Sequence, residues 1–236
     1  MTGKSTSWNK LLRSPYPCDH IIQLYTSPEV LVRALARFVG SALEQGEAAV
    51  VIAAAKRIAA LTKRLIETGY DVASTNGQGA FVTLDAERCL AKFMVDGVPD
   101  RAGFRSVVTP ILDRLRDAGY KKIRLFGEMV NVLWPHTSGA ATVWLEELCN
   151  ELIADYELCL LCAYHVDPVD IELRRGILHR ITRCHSYFFP DDWELARQYG
   201  RTGLTYCTVV GCSGQEQSHM QKEAGRGQGY YLRGAR

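Results

Sequence analysis

The sequence has no long hydrophobic run. Its longest strongly apolar stretch, near Ala48–Ala55, falls far short of the ~20 residues that a membrane-crossing helix needs. It has no excess charge of either sign. Its 28 Lys and Arg against 26 Asp and Glu leave a net charge of +2, so no strong field favours nucleic acid or a membrane surface. It has no G-x-S-x-G elbow, no charge block and no internal repeat. Eight cysteines in 236 residues are too dilute for a secreted disulfide scaffold. Met1 to Asp19 is polar and holds Pro15 and Pro17, unlike a secretory leader. These absences point to a cytoplasmic protein with reduced thiols.

What is there begins with "TGKSTS", residues 2–7, which ends like a phosphate-binding loop. Such a loop needs a strand before it, a Gly-rich turn, and a helix after it. Only Met1 and Thr2 precede Gly3 and Lys4, so the first glycine of the motif has no place. Residues 1–17 are read as an irregular N-terminal arm.

From Cys18 the pattern changes. "HIIQLY" is an apolar, β-branched strand, and Thr26 and Glu29 have capping-box spacing with Pro28 between them. Leu31, Leu35, Phe38, Val39 and Leu43 then recur at helical spacing up to Gly46. "AAVVIAA", "AFVTL", "IRLFGEMV" and "LCLLCAYHV" read as further strands, each separated from the next by an amphipathic helical stretch. Asp85 is placed to cap a helix, and Gly97, Pro99 and Asp100 make a turn. Alternating strands and helices predict an α/β fold with a mostly parallel sheet of about five strands or more, covered on both faces. This domain spans 18–168. A helical extension is expected over 169–193 and a flexible tail over 194–236, which is rich in Gly, Ser, Gln and Arg.

Ligands of open parallel sheets bind at the carboxyl ends of the strands. That rule selects Tyr25, Thr26 and Ser27, then Lys56, Asp85, Glu128 with Met129, and Tyr164 with His165. Glu128 stands out because a carboxylate at a buried strand end must face a cleft or a partner; a structural salt bridge is the competing reading. His20 and Gln23 are polar residues inside an apolar strand and need hydrogen-bond partners. Trp144, Glu147 and Asn150 lie near one another on one helix. Trp134, Pro135 and His136 look like a loop rim. Cys159, Cys162 and His165 have the spacing of a zinc site, but residues three apart on a strand face opposite sides. No metal and no cofactor are therefore expected.

In order and spacing, "HIIQLYTSPEVLVRALARFVGSALEQGEAAVVIA", "AKFMVDGVPDRAGF", "RLFGEMVNVLW", "WLEELCNEL" and "LCAYH" resemble the MEDS family, the sensory domain of methanogen and methylotroph regulators such as the dichloromethane-responsive repressor. "ILHRITRCHSYFFP" is similar to the segment that often follows that domain. The resemblance implies a RecA-like three-layer fold and the sensing of a small molecule, such as a hydrocarbon derivative. It also implies a regulatory protein partner or homo-oligomer that receives the signal. In a RecA-like fold the phosphate loop follows the first strand. Here "YTSPEV" stands there without Gly or Lys, so ATP hydrolysis by the usual mechanism is not expected. The leading expectation is a non-enzymatic sensory domain that binds a small molecule through His20, Gln23, Tyr25, Glu128, Trp144, Glu147, Asn150, Tyr164 and His165. The alternatives are a degenerate nucleotide-binding protein or hydrolase using Glu128 as base, or an interaction scaffold. No helix-turn-helix or kinase core is evident.

Overall fold

The computed structural model describes residues 4–70, 72, 79–134, 139–166 and 175–190. In chain order its elements are α1 (Lys4–Arg13), β1 (His20–Tyr25), α2 (Pro28–Glu44), β2 (Ala48–Ala53), α3 (Ala55–Glu67), β3 (Phe81–Asp85), α4 (Ala86–Leu90), β4 (Met94–Val95), β5 (Val98–Pro99), α5 (Arg101–Asp117), β6 (Ile123–Gly127), α6 (Met129–Leu133), α7 (Ala140–Tyr156), β7 (Cys159–His165), α8 (Arg175–Arg183) and β8 (Tyr187–Pro190). Six strands form one sheet in the order β3-β2-β6-β7-β1-β8, and every described pairing in it is parallel. The expected three-layer α/β fold is therefore present, with β4 and β5 as a separate antiparallel hairpin.

The strands alternate between two cores. Ala48, Val50 and Ile52 of β2 face the layer of α4–α8, while Ala49, Val51 and Ala53 face α1–α3. Strands buried on both faces explain the near-continuous apolar runs. Sequence punctuation lies where local physics requires it. Asp85 accepts from the Arg88 N–H at 2.9 Å, and Asp100 from the Gly103 N–H at 2.6 Å, capping α4 and α5. Asp96 and Gly97 both take positive φ, as a tight turn between β4 and β5 demands.

Three readings change. The N-terminal stretch expected to be irregular is helical over Lys4–Arg13, and Trp8 and Leu12 are buried in it. Its anchor is distant in sequence. Buried Arg124 on β6 pairs with Glu47 at 2.6 Å. Its remaining nitrogens donate to the carbonyls of Leu12 (3.0 Å), Arg13 (3.1 Å) and Phe38 (3.1 Å). With the Ser41 hydroxyl on Leu12 (3.3 Å) and the Gln45 amide on Arg13 (2.8 Å), this satisfies carbonyls at the end of α1, which have no partner within the helix. The capping box is also absent: Ser27 is the N-cap of α2, and its hydroxyl donates to Glu29 rather than to a backbone group. Finally, the 169–193 stretch is not only helical. After α8 its described part ends in β8, which pairs with β1 and stacks Phe189 on Trp8, ring centroids 3.9 Å apart and nearly parallel. The tail over 194–236 lies outside the described residues.

Candidate functional site

Adjacent strands are followed by helices on opposite faces where β1 lies beside β7 and where β2 lies beside β3 and β6. Such divergence opens a crevice at the strand carboxyl ends. Glu128 sits there, directly after β6. Arg57, in the first turn of α3, reaches its Oε1 through Nε (3.2 Å) and Nη2 (3.1 Å). The Ala54 N–H donates to Oε2 at 3.0 Å. Arg57 Nη2 also donates to the Tyr25 hydroxyl oxygen at 3.0 Å, and Nη1 to the Pro28 carbonyl at 3.2 Å. Asn131, on α6, bridges outward: its amide donates to the Tyr25 hydroxyl oxygen at 3.4 Å and its oxygen accepts from the His165 N–H at 2.7 Å. The His165 ring stands edge-on to Tyr25 at 5.3 Å and is exposed. Burial raises the Tyr25 hydroxyl to about 12, with Arg57 opposing and Glu128 assisting. The result is a buried ionic floor under a rim formed by His165 and half-buried Asn131.

A second polar group lies on the α7–α8 side of the sheet. Buried Glu146 of α7 is its centre. His20 Nε2 (β1) is 3.3 Å from its Oε2, and His185 Nε2, just before β8, is 3.4 Å from its Oε1. The Tyr164 hydroxyl donates to Oε1 and the Cys162 thiol to Oε2 at 3.5 Å, both from β7. Asn150, one turn beyond Glu146, accepts from His20 Nδ1 at 2.9 Å. Burial by itself disfavours the Glu146 charge, but the His185 and His20 rings outweigh it and hold the carboxyl below its usual range. Burial, reinforced by His185, holds His20 below its ordinary value. Burial and Glu146 push the Tyr164 hydroxyl and the Cys162 thiol well up. Among the described residues, His20, Glu146, Cys162 and His185 form a set able to hold a metal ion, their ligand atoms all within 4.8 Å.

The nine residues singled out from sequence thus do not form one site. Tyr25, Glu128 and His165 gather at the crevice. His20, Asn150 and Tyr164 belong to the second group, on the other core. Gln23 is fully buried, and among the described residues its amide meets no hydrogen-bond partner. Trp144 donates to the Pro99 carbonyl at 2.9 Å and underlies Arg101, so it fastens the hairpin. Glu147 is exposed; the buried carboxylate is its neighbour, Glu146. Trp134 is buried rather than on a rim, and Pro135 and His136 lie outside the described residues. Cys159 and Cys162 face opposite cores as their spacing predicts, so the zinc-like triplet with His165 is not a cluster. Arg57 and Glu146 were missed. Each carries a readable signal: Arg57 lies one turn before Leu61 on the apolar stripe of α3, and Glu146 falls among Thr142, Cys149 and Ile153 on the buried stripe of α7.

A parallel sheet with helices on both faces places the chain in the broad class of three-layer α/β folds. More narrowly, residues 19–186 match the model of MEDS, the methanogen/methylotroph, DcmR sensory domain. The match covers most of the chain, which therefore belongs to this family of sensory domains. No curated protein matches it. Among solved structures, a KaiC-like protein from the hyperthermophilic archaeon Pyrococcus horikoshii OT3 is similar, at 14% identity and a TM-score of 0.49, covering 74% of this chain and 72% of that one. No helix among the described residues is long and apolar enough to cross a membrane.

Proposed function

We propose that this sensory domain is non-enzymatic and binds a small organic molecule over the strand carboxyl ends. In this reading the ligand rests on the His165–Asn131 rim and its occupancy is passed to a regulatory partner or a second copy of the chain. The observation that carries the reading is the state of Glu128. As the carboxylate best placed for general-base chemistry it is already engaged, by two Arg57 nitrogens and a backbone N–H. Buried, ion-paired and with most of its lone pairs engaged, it is poorly placed to reach a substrate proton. The residues after β1 support the same view: Thr26, Ser27 and Pro28 lack the glycine and lysine of a phosphate cradle, and Glu29 stands in the first turn of α2, where it opposes an anion.

Signalling requires that the ligand bind two conformations unequally. The network suits that role because it ties β1, the start of α3, the end of β6 and α6 together through a few hydrogen bonds. A ligand that recruits Asn131 or His165 alters restraints on all four. The test is a thermal-shift screen of organic metabolites, halogenated hydrocarbons and nucleotides against the full chain, since a ligand of the folded state stabilises it. The expected result is a concentration-dependent rise in Tm with an organic compound that is lost in an Asn131→Ala, His165→Ala double variant. A rise confined to Mg-nucleotide, with phosphate released, would overturn the reading.

A further inference from the structure

The geometry points to a closed site for one divalent transition-metal ion of the zinc class, held by His20, Glu146, Cys162 and His185, which fastens the α8–β8 segment to the sheet. Bonds of about 2.0–2.3 Å to nitrogen, oxygen and sulfur place tetrahedral ligand atoms about 3.3–3.6 Å apart. His20 Nε2, Glu146 Oε2 and Cys162 Sγ form a triangle with edges of 3.3, 3.4 and 3.5 Å. His185 Nε2 approaches the other carboxylate oxygen at 3.4 Å. The three atoms outline one face of such a tetrahedron, and His185 supplies the fourth corner.

The outer contacts make the same case independently. His20 Nδ1 lies 3.0 Å from the Cys184 carbonyl, and His185 Nδ1 lies 2.8 Å from the Ile181 carbonyl. A carbonyl only accepts, so both Nδ1 atoms carry the proton. In neutral rings both Nε2 lone pairs then point inward, toward a carboxylate that also only accepts. Among the described residues, buried His185 Nε2 completes no hydrogen bond. The Cys162 thiol and the Tyr164 hydroxyl donate into this dry centre. A dication in place of the thiol proton would meet both imidazole lone pairs, the thiolate and the carboxylate at once. A dication with one thiolate, one carboxylate and two neutral imidazoles is neutral overall, which suits complete burial. Tyr164 and Asn150 act as outer supports, the first donating to Glu146 and the second facing His20.

Topology gives the ion its role. His20 and Cys162 come from β1 and β7, Glu146 from α7, and His185 from the turn between α8 and β8. Only His185 belongs to the final segment, so the ion would link that segment to the core. Four protein ligands leave no open position, as in structural rather than catalytic zinc sites.

The experiment uses the full chain, stripped with chelator and reloaded. Elemental analysis should find one zinc per chain after reloading. Cobalt(II) should give the intense visible bands of tetrahedral coordination and a near-ultraviolet thiolate charge-transfer band. Cys162→Ser, close in shape, should abolish that charge-transfer band while far-ultraviolet circular dichroism stays unchanged. Tyr164→Phe should retain the band but weaken zinc about 10-fold. Zinc should slow hydrogen exchange in β8 and raise Tm. Reloaded wild-type protein with well under one zinc per chain, weak octahedral cobalt spectra, or a charge-transfer band that survives Cys162→Ser would overturn the site.

Discussion

Arg57 meets Glu128 side-on, through Nε and Nη2 on a single carboxylate oxygen, with both side chains almost wholly buried. Removing one partner of such a pair strands the other charge in a medium that cannot solvate it. Glu128→Gln keeps shape and loses only charge, so the fold should survive but lose on the order of 3 kcal/mol in urea denaturation. Arg57→Met together with Glu128→Gln should recover much of that loss, because no unpaired charge remains. Additive losses in this double-mutant cycle would show that the pair is not the source of the effect.

Arg124 makes a sharper prediction, because one guanidinium holds Glu47 and the end of α1 together. Arg124→Met should cost about 3 kcal/mol, because it removes the buried partner of Glu47 and a shared donor to the carbonyls ending α1. Among the described residues, only Lys122, Ser41 and Gln45 would then reach these groups. Limited proteolysis should cut within the first twenty or so residues before the rest of the domain is attacked. Simultaneous loss of all regions would place the effect elsewhere.

Tyr25 should shape the alkaline limb of stability. Its hydroxyl is raised to about 12 in the folded chain, above the ordinary 10.0. The folded state therefore holds this proton more tightly than the unfolded state. The stabilisation is complete below about pH 10 and is lost as pH rises toward about 12. Tyr25→Phe should make the fall in unfolding free energy over that window shallower, by up to ~1.4 kcal/mol per pH unit. Equal slopes in variant and wild type would show that Tyr25 does not titrate there.

The G-K-S-T text predicts by its position. Lys4 opens α1, before the first strand, whereas a phosphate cradle belongs between β1 and α2. Purified protein should show no Mg-dependent ATPase above background, and Lys4→Ala should change nothing. Turnover that disappears with Lys4 would restore the motif.

The sheet was legible because its strands are buried on both faces and its helices alternate with them, each carrying its own caps and glycines. The parts that escaped depend on distant partners. The helix "KSTSWNKLLR" has few apolar residues and is held by an arginine more than a hundred positions away. "YFFP" is too short to declare itself without β1 beside it. The strand ending in "GEM" stops at Gly127, because the five residues of α6 carry no periodicity long enough to read. The candidate site was legible at Glu128 and Tyr25, which follow from strand ends alone. Glu147 and Glu146 differ by about 100° around one helix, and only the facing His20 and His185 show that the buried carboxylate is Glu146.

Trp8 and Phe189 stack although they come from the first and last elements among the described residues. Together those two elements close one side of the molecule: β8 covers the outer edge of β1, and α1 lies against β8. An uncovered strand exposes a row of unpaired N–H and C=O groups that accepts any extended chain. Loosening this seal should therefore expose β1 as a template. The first symptom of damage there should be self-association, through strand exchange between copies, rather than unfolding.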